Sequence, residues 1–308
     1  MKILSQHRLK INIFCLMISA VLILLVIVGV PMNRALTRIS KERLQSSYQQ
    51  LITERAKIMS GTTDNIFKLC DEIIVNDEIY NALCNYDILS NGELLLIHKD
   101  IAQFISSKYY FMKSIKTISI VTKKGKVLYD TGFNTFTVKY VKGVTNRTSG
   151  KKGKMLWTYA SGKGNKTYII ASKAIHYRFQ HDTVGYIILS VEEPDFKALF
   201  SDLYIGENSF LAVADSNNRV ISSTDNQYHA GDKLSFLPGI SSDVWQEKKY
   251  FTVSYQNNYP TIAFSEIGKT DWKLIGMVDY QYLNTESNVF QKVLYISSLT
   301  IISSHNLK

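Results

Sequence analysis

TISIVTKKGKVLYD, residues 117–130, decides how this chain is read. Alternating β-branched residues enter a Lys-Lys-Gly-Lys turn and leave through VLYD, which spells strand, turn, strand, with Gly125 where a hairpin turn asks for a glycine. The pattern returns about 90 residues later in SFLAVADSNNRVISS (209–223), an internal repeat. After the first copy come three further strand-like runs, KMLWTYA (154–160), KTYIIASKAI (166–175) and VGYIILSV (184–191). After the second come KYFTVSY (249–255), PTIAFSEI (260–267) and DWKLIGMV (271–278). The fold class this predicts is α+β: two tandem subdomains, each a sheet of roughly five antiparallel strands with helices over one face. Between the strands, residues 131–153 read as a long polar loop. A helix is expected from about Glu192 to Tyr204, closed by Gly206 as a C-cap, and another from Asp279 onward.

Upstream of the repeats the period is helical. From Met32, apolar or neutral residues recur through Leu44, Tyr48, Leu51, Ile58, Thr62, Ile66, Leu69 and Ile73, with Arg55 at one expected site. Some forty residues at about 1.5 Å each make a helix of about 60 Å, tall enough to run the height of a domain. Ser90-Asn-Gly-Glu93 is a capping box opening a further helix, whose Ile97, Ile101, Phe104 and Ile105 share one face.

Before the long helix stands INIFCLMISAVLILLVIVGV (11–30), uncharged, with Asn12 and Ser19 its only clearly polar members. Twenty residues of helix match a hydrocarbon core of about 30 Å, so this stretch is expected to span a membrane. It is longer than a signal-peptide core, and the exit GVPMNRAL offers no small-x-small cleavage site. Lys2, Arg8 and Lys10 precede it while Arg34, Arg38, Lys41 and Arg43 follow, so the positive-inside count does not orient it. The short tail favours a cytoplasmic N-terminus and an extracytoplasmic main domain at the cell membrane. VLYISSLTIIS (293–303) reads as the front half of a second span, with the natural protein expected to continue past Lys308. The boundaries are then a tail (1–10), a span (11–30), a long helix with further helical elements (31–115), a membrane-distal subdomain (116–205), a membrane-proximal one (206–282) and a returning helix (283–308).

A net charge of +10 raises nucleic acid as a partner. The lysines, however, gather in turns such as Lys123-Lys124-Gly125-Lys126 and Lys151-Lys152-Gly153-Lys154 and form no helical stripe, so no nucleic acid is expected. Three cysteines, one of them Cys15 in the span, do not make a disulfide framework, and a Cys70–Cys84 bridge stays open at this level.

The order of parts resembles the double Cache (dCache) sensor region of bacterial transmembrane receptors, most of all that of YesM-like sensor histidine kinases. GYIILSVEE (185–193) leading into a helix, FLAVADSNNRVISS followed by Gly231, and DWKLIGMVDYQYL (271–283) before the second apolar stretch carry the resemblance, which covers essentially the whole chain. It implies two PAS-like subdomains, a ligand in the membrane-distal one, a homodimer through the long helix, and a signal passed inward to a histidine kinase and its response regulator, both beyond this chain. A chemotaxis or transcription-regulator output on the same sensor is the alternative. Amino-acid-binding Cache domains carry an Arg-x-Trp-Tyr motif and an Asp on the last strand. Here the nearest counterparts are Lys154-Met-Leu-Trp157-Thr-Tyr159 and Ser190, so an amine clamp of that kind is not evident.

No catalytic motif stands out. Gly268-Lys269-Thr270 lacks the glycine five positions earlier that a phosphate loop needs, Ala263 being there, and reads as a turn. Asp215-Ser-Asn217-Asn-Arg219 begins like a calcium loop but has Val220 at the glycine position, so it reads as a side-chain-stabilised hairpin turn. His176, His181 and His229 lack metal-ligand spacing, and neither cofactor nor metal is expected. An anchored envelope enzyme would need Asp130, His176 and His181 to converge; a scaffold would have no cavity. Ligand sites combine aromatic walls with a few placed polar groups, and the first repeat offers Tyr129, Asp130, Trp157, Tyr159, Tyr168 and Ser190 near strand ends. Core packing competes for each aromatic ring among them. The partners expected are a small-molecule ligand, such as a sugar or another organic solute, and membrane lipid.

Overall fold

In the computed structural model the described residues are 2–109, 114–132, 136–162, 164, 166–177, 182–234, 236–237, 250–254 and 260–279, with backbone alone for 2–26, 28–30 and 33. The chain divides into two units, residues 1–48 with 279–308, and residues 49–278. Of the first, the described part is chiefly the N-terminal stretch of α1 (Lys2–Val75), a helix that continues through Pro31. The span read at 11–30 lies on this helical backbone, but its side chains, Ile27 apart, fall outside the described residues; among those described, no helix is long and apolar enough to cross a membrane. The apolar stretch 293–303 and the helix expected after Asp279 lie outside them as well.

The second unit holds two antiparallel five-stranded sheets. The first has β1 (Ile115–Thr122), β2 (Val127–Asp130), β3 (Leu156–Ser161), β4 (Thr167–His176) and β5 (Thr183–Glu192) in the order β2-β1-β5-β4-β3. The second has β6 (Phe210–Ala214), β7 (Val220–Ser223), β8 (Tyr250–Thr252), β9 (Thr261–Glu266) and β10 (Lys273–Val278) in the equivalent order β7-β6-β10-β9-β8. The repeat extends to single hydrogen bonds. Thr131 Oγ1 accepts from the Ile118 N–H at 2.8 Å and Thr224 Oγ1 from the Leu211 N–H at 2.9 Å, each partner displaced by 93 residues. The left-handed turn residues Gly125 (φ 80) and Asn218 (φ 58) are displaced by the same 93 residues. In the second turn Asp215 Oδ1 accepts from the Asn217 and Arg219 N–H groups, both at 2.9 Å, which closes the hairpin.

One face of each sheet is covered by α1 and the helices that follow it, and the first sheet carries a further helix on its other face. The buried seam of α1 runs Ile52, Ala56, Met59, Thr63, Ile66, Cys70, Ile73. Of the apolar series read from the periodicity, Ile66, Leu69 and Ile73 are buried, while Leu51 and Ile58 are 36% and 52% exposed. The sheet selects the neighbouring face. Gly276 of β10 approaches so closely that a Cβ there would lie 2.4 Å from Ile52 Cδ1, and small Ala56 and Thr63 continue that line. Gln49 adds a strand-like edge contact, its Nε2 donating to the Phe264 carbonyl at 2.8 Å. Beside α1 lie α2 (Asp77–Asn85), capped by Asn76, and α3 (Asn91–Tyr109), where Ser90 and Glu93 form the reciprocal capping box the sequence predicts. Cys70 and Cys84 are both free thiols.

Two expectations need correction. Residues 131–153 are not one long loop: they contain α4 (Val138–Ser149), whose N-cap Thr137 accepts from the Tyr140 N–H. The stretch looked polar because the apolar face is narrow, with Val144 fully buried and Tyr140 and Val141 packed beside it. The helix expected over 192–204 is only α5 (Glu193–Lys197). Beyond it the Leu199, Phe200 and Leu203 N–H groups bond three residues back, and these tighter turns bury both Phe196 and Phe200.

Aromatic rings stitch the sheets together. Trp272, 1% exposed at the start of β10, lies 5.2 Å from Trp157 of β3 and 5.7 Å from Phe196, both edge-on. Phe67 of α1 meets Trp157 at 5.9 Å.

Candidate functional site

Side chains alternate across a strand, and this separates the candidate residues. On the first sheet, Tyr129 and Trp157 project toward the α1–α3 side. The ring of Tyr129 lies 4.9 Å from that of His98 of α3, and Trp157 sits in the aromatic seam. Tyr159, next but one along β3, reaches Gly231, where a Cβ would fall 2.4 Å from its hydroxyl. There it lines a polar groove of about 490 Å³ with Tyr228, Asp225 and Ser223. Asp130, Tyr168 and Ser190 occupy the other face, under α4. The six therefore do not form one site, and the three on the α4 side come nearest to doing so.

On that side a small cavity of about 150 Å³ opens between the β1–β2 end of the sheet and α4. Thr117, Ser119 and Asp130 supply polar groups; Val121, Phe136, Val138 and Val141 supply apolar wall. β1 places Thr117 and Ser119 two residues apart, hence on one face. The register Ser119↔Asp130 sets the carboxylate beside the hydroxyl. Asp130 Oδ1 accepts from Ser119 Oγ at 2.7 Å and from the Gly132 N–H at 3.1 Å, an Asx-type turn that orients it. Behind it Thr117 Oγ1 and Ser190 Oγ are hydrogen-bonded at 2.6 Å in a buried environment, so Ser190 supports the cavity floor from the neighbouring strand.

The α4 side of the wall is aromatic. Phe136 stacks on Tyr140 at 4.9 Å and meets Tyr168 edge-on at 5.2 Å, which puts Tyr168 one ring behind the lining. Burial pushes the Tyr140 phenol well above its usual range, against the opposing pull of the Arg147 guanidinium. Its hydroxyl is buried and has no hydrogen-bond partner among the described residues. Ser119, Phe136 and the α4 valines were absent from the sequence list. The i±2 alternation along TISIVT signals Ser119; nothing short of a tertiary arrangement signals the helix.

The second sheet lacks this cavity among its described residues. Displaced by 93 residues, Thr117, Ser119 and Asp130 correspond to Phe210, Ala212 and Ser223, and the equivalent face is filled by Phe210, Leu234, Phe236, Leu237 and Phe264. Among the described residues, then, the α4-side face of the first copy keeps a polar hole where the corresponding face of the second is apolar, the second copy's polar groove at Ser223 lying beside it. His181 lies outside the described residues, so the Asp130, His176 and His181 set is not assembled here. Among the described residues no group of three or more His, Cys, Asp or Glu side chains is placed to hold a metal.

No protein-family model and no curated protein sequence matches the chain. Solved structures do. The sensor domain of the V. cholerae histidine kinase DctB is 10% identical, with 77% of this chain and 98% of that one covered at a TM-score of 0.53. The ligand binding domain of the Pseudomonas aeruginosa PAO1 amino acid chemoreceptor PctB, in complex with L-Arg, is 11% identical, with 78% and 97% covered at a TM-score of 0.55. Sensor domains of histidine kinases and of chemoreceptors thus both stand among the neighbours, and what this chain shares with them is the fold: a long N-terminal helix carrying two antiparallel five-stranded sheets in tandem.

Proposed function

We propose that this chain is the extracytoplasmic, dCache-type sensing module of a membrane receptor, with its small-molecule ligand in the cavity between the first sheet and α4. The observation that carries the reading is the asymmetry of the repeat among the described residues: polar Thr117, Ser119 and Asp130 around a hole in the first copy, and Phe210, Phe236 and Phe264 over the corresponding face of the second. A buried-edge carboxylate with a donor-rich floor accepts a solute that presents a hydroxyl, amide or amine to Asp130 and an apolar edge to Phe136, Val138 and Val141. A polyol, sugar or similar organic solute of few heavy atoms fits about 150 Å³. L-Arg in PctB makes an amine-bearing ligand the second class to test.

In this reading residues 11–30 anchor the module in lipid with the N-terminus cytoplasmic, and α1 carries the change in ligand occupancy to the membrane as a displacement between two positions. Leu51 and Ile58, seven residues apart and exposed on α1, are the seam of a homodimer. The output is a histidine kinase of the YesM kind signalling to a response regulator; a chemotaxis output is the alternative, since both kinds of receptor share this fold.

The test is a thermal-shift screen of the full chain in detergent against sugars, polyols, amines and amino acids. One class raises the melting temperature in a saturable way, and Asp130→Asn weakens it at least tenfold while leaving the unliganded melting temperature within a few degrees. If no class stabilises the chain, or if Asp130→Asn binds as well as the parent, the site assignment fails. Protease treatment of intact cells tests the topology: the domain is degraded from outside if it is extracytoplasmic and survives if it is not.

A further inference from the structure

We infer that the junction of the two sheets holds a second binding site, for a small soluble oxyanion bearing more than one negative charge, a phosphate compound by class. A cleft of about 390 Å³ opens there, walled by Phe67 of α1, by the segment leading into β3 and by the β9–β10 turn. Four lysines line it against one carboxylate. Lys151 and Lys154 come from the segment between α4 and β3, Lys173 from β4, Lys269 from the β9–β10 turn, and the carboxylate is Asp271. Lys173 is paired with Asp71, and Asp271 accepts from Ser216 Oγ at 3.1 Å. Lys151, Lys154 and Lys269 have no ion-pair partner among the described residues; the Lys269 ammonium lies 5.7 Å above the Phe67 ring.

Lys151, Lys154 and Lys269 are exposed, but three ammonium groups without ion-pair partners on one concave wall repel one another and focus a positive potential into the cleft. An anion relieves that repulsion and gains all three attractions at once. A second observation points the same way. Trp157 lines the cleft, and its Nε1–H, shut off from solvent, has no acceptor among the described residues. A buried donor without an acceptor is costly, and a small shift of the Trp157 ring on binding brings that N–H to an oxyanion oxygen at the wall. Ammonium and indole N–H groups are donors only, so the ligand is acceptor-rich. Lysines bind phosphate as point charges without the planar fork that favours a carboxylate. The volume exceeds what a single phosphate group needs and falls within the range of small-metabolite sites. Because Lys151 and Lys154 belong to the first repeat and Lys269 to the second, the bound anion ties the two sheets together.

Isothermal titration of the full chain in detergent with sodium pyrophosphate, at low ionic strength, tests this. We expect saturable binding of one pyrophosphate per chain, weakened at least tenfold by Lys154→Gln with Lys269→Gln, and severalfold by Trp157→Phe, which keeps a ring in the seam and deletes the N–H. Affinity falls steeply with added salt, as counterion screening requires. Lys57→Gln with Lys123→Gln removes the same charge elsewhere and leaves binding unchanged. Circular dichroism confirms that each variant is folded, and should Trp157→Phe not fold, the lysine pair decides alone. Parent-like binding in the Lys154/Lys269 variant, equal weakening in the control pair, or no saturable binding overturns the proposal.

Discussion

At the scale of single residues the chain shows how much depends on what a side chain faces. Gly276 and Ile52 are the clearest case: a methyl at position 276 meets Ile52 Cδ1 at 2.4 Å, so Gly276→Ala forces the buried Ile52 side chain out of its place in the seam. Overpacking of this kind costs about 1–3 kcal/mol, read by chemical denaturation. Burial also governs Cys70. Loss of solvent raises its thiol to about 12, only partly offset by nearby Lys173 and reinforced by Asp71. At pH 8 the group is therefore an uncharged, sealed thiol. Iodoacetamide modifies half-buried Cys84 first in the native chain, and Cys70 only after denaturant is added, as peptide mass mapping reads directly. Residues whose role is local were legible beforehand: Gly125 in its turn, Asp215 closing the second hairpin, Ser90 and Glu93 capping α3. Asp130 was legible as a candidate by its place at a strand end. Its hydroxyl partner Ser119 was not singled out, because the pairing crosses from one strand to the next.

Elements were legible where a period is strong and ambiguous where a face is narrow. The two hairpins and the later strands fall where alternation puts them, while α4 was hidden by Lys, Gly, Asn and Arg around one narrow stripe of buried Val144 and Thr148 with half-buried Val141. Its N-cap is a direct handle on the site. Thr137→Ala removes the acceptor for the Tyr140 N–H, costs about 1 kcal/mol of stability, and weakens ligand binding in the cavity, because α4 is its wall; calorimetry with and without ligand separates the two effects. The β1–β2 turn is tied to the end of α2 by Asp87, which Lys124 holds at 2.5 Å and Lys126 at 2.8 Å. Hydrogen bonding from Lys124 first, then Lys126, lowers the Asp87 pKa to about 2, below its value in the unfolded chain near 4. The contribution of this contact is therefore complete above about pH 4 and lost as the pH falls from about 4 toward 2. Asp87→Asn removes that part of the acid sensitivity, a small change because the group is exposed, measured by comparing melting curves at pH 6 and pH 3.

At the scale of the whole molecule, duplication and its divergence organise everything. Trp272 joins the sheets through Trp157 and Phe196, and Trp272→Ala opens a hole in that seam worth about 3–5 kcal/mol; loss of the cooperative single melting transition is the sign that the sheets then unfold separately. By itself the sequence determined the repeated strand-turn-strand units, the long leading helix, the caps and the turns, since each depends on residues within a few positions of one another. Only the tertiary structure decided which face of α1 is buried, that a helix covers the first sheet, and which copy of the repeat keeps a cavity. Those outcomes depend on surfaces brought together from distant segments, where a glycine on β10 or a phenylalanine in place of a threonine changes what fits, and no local period records that.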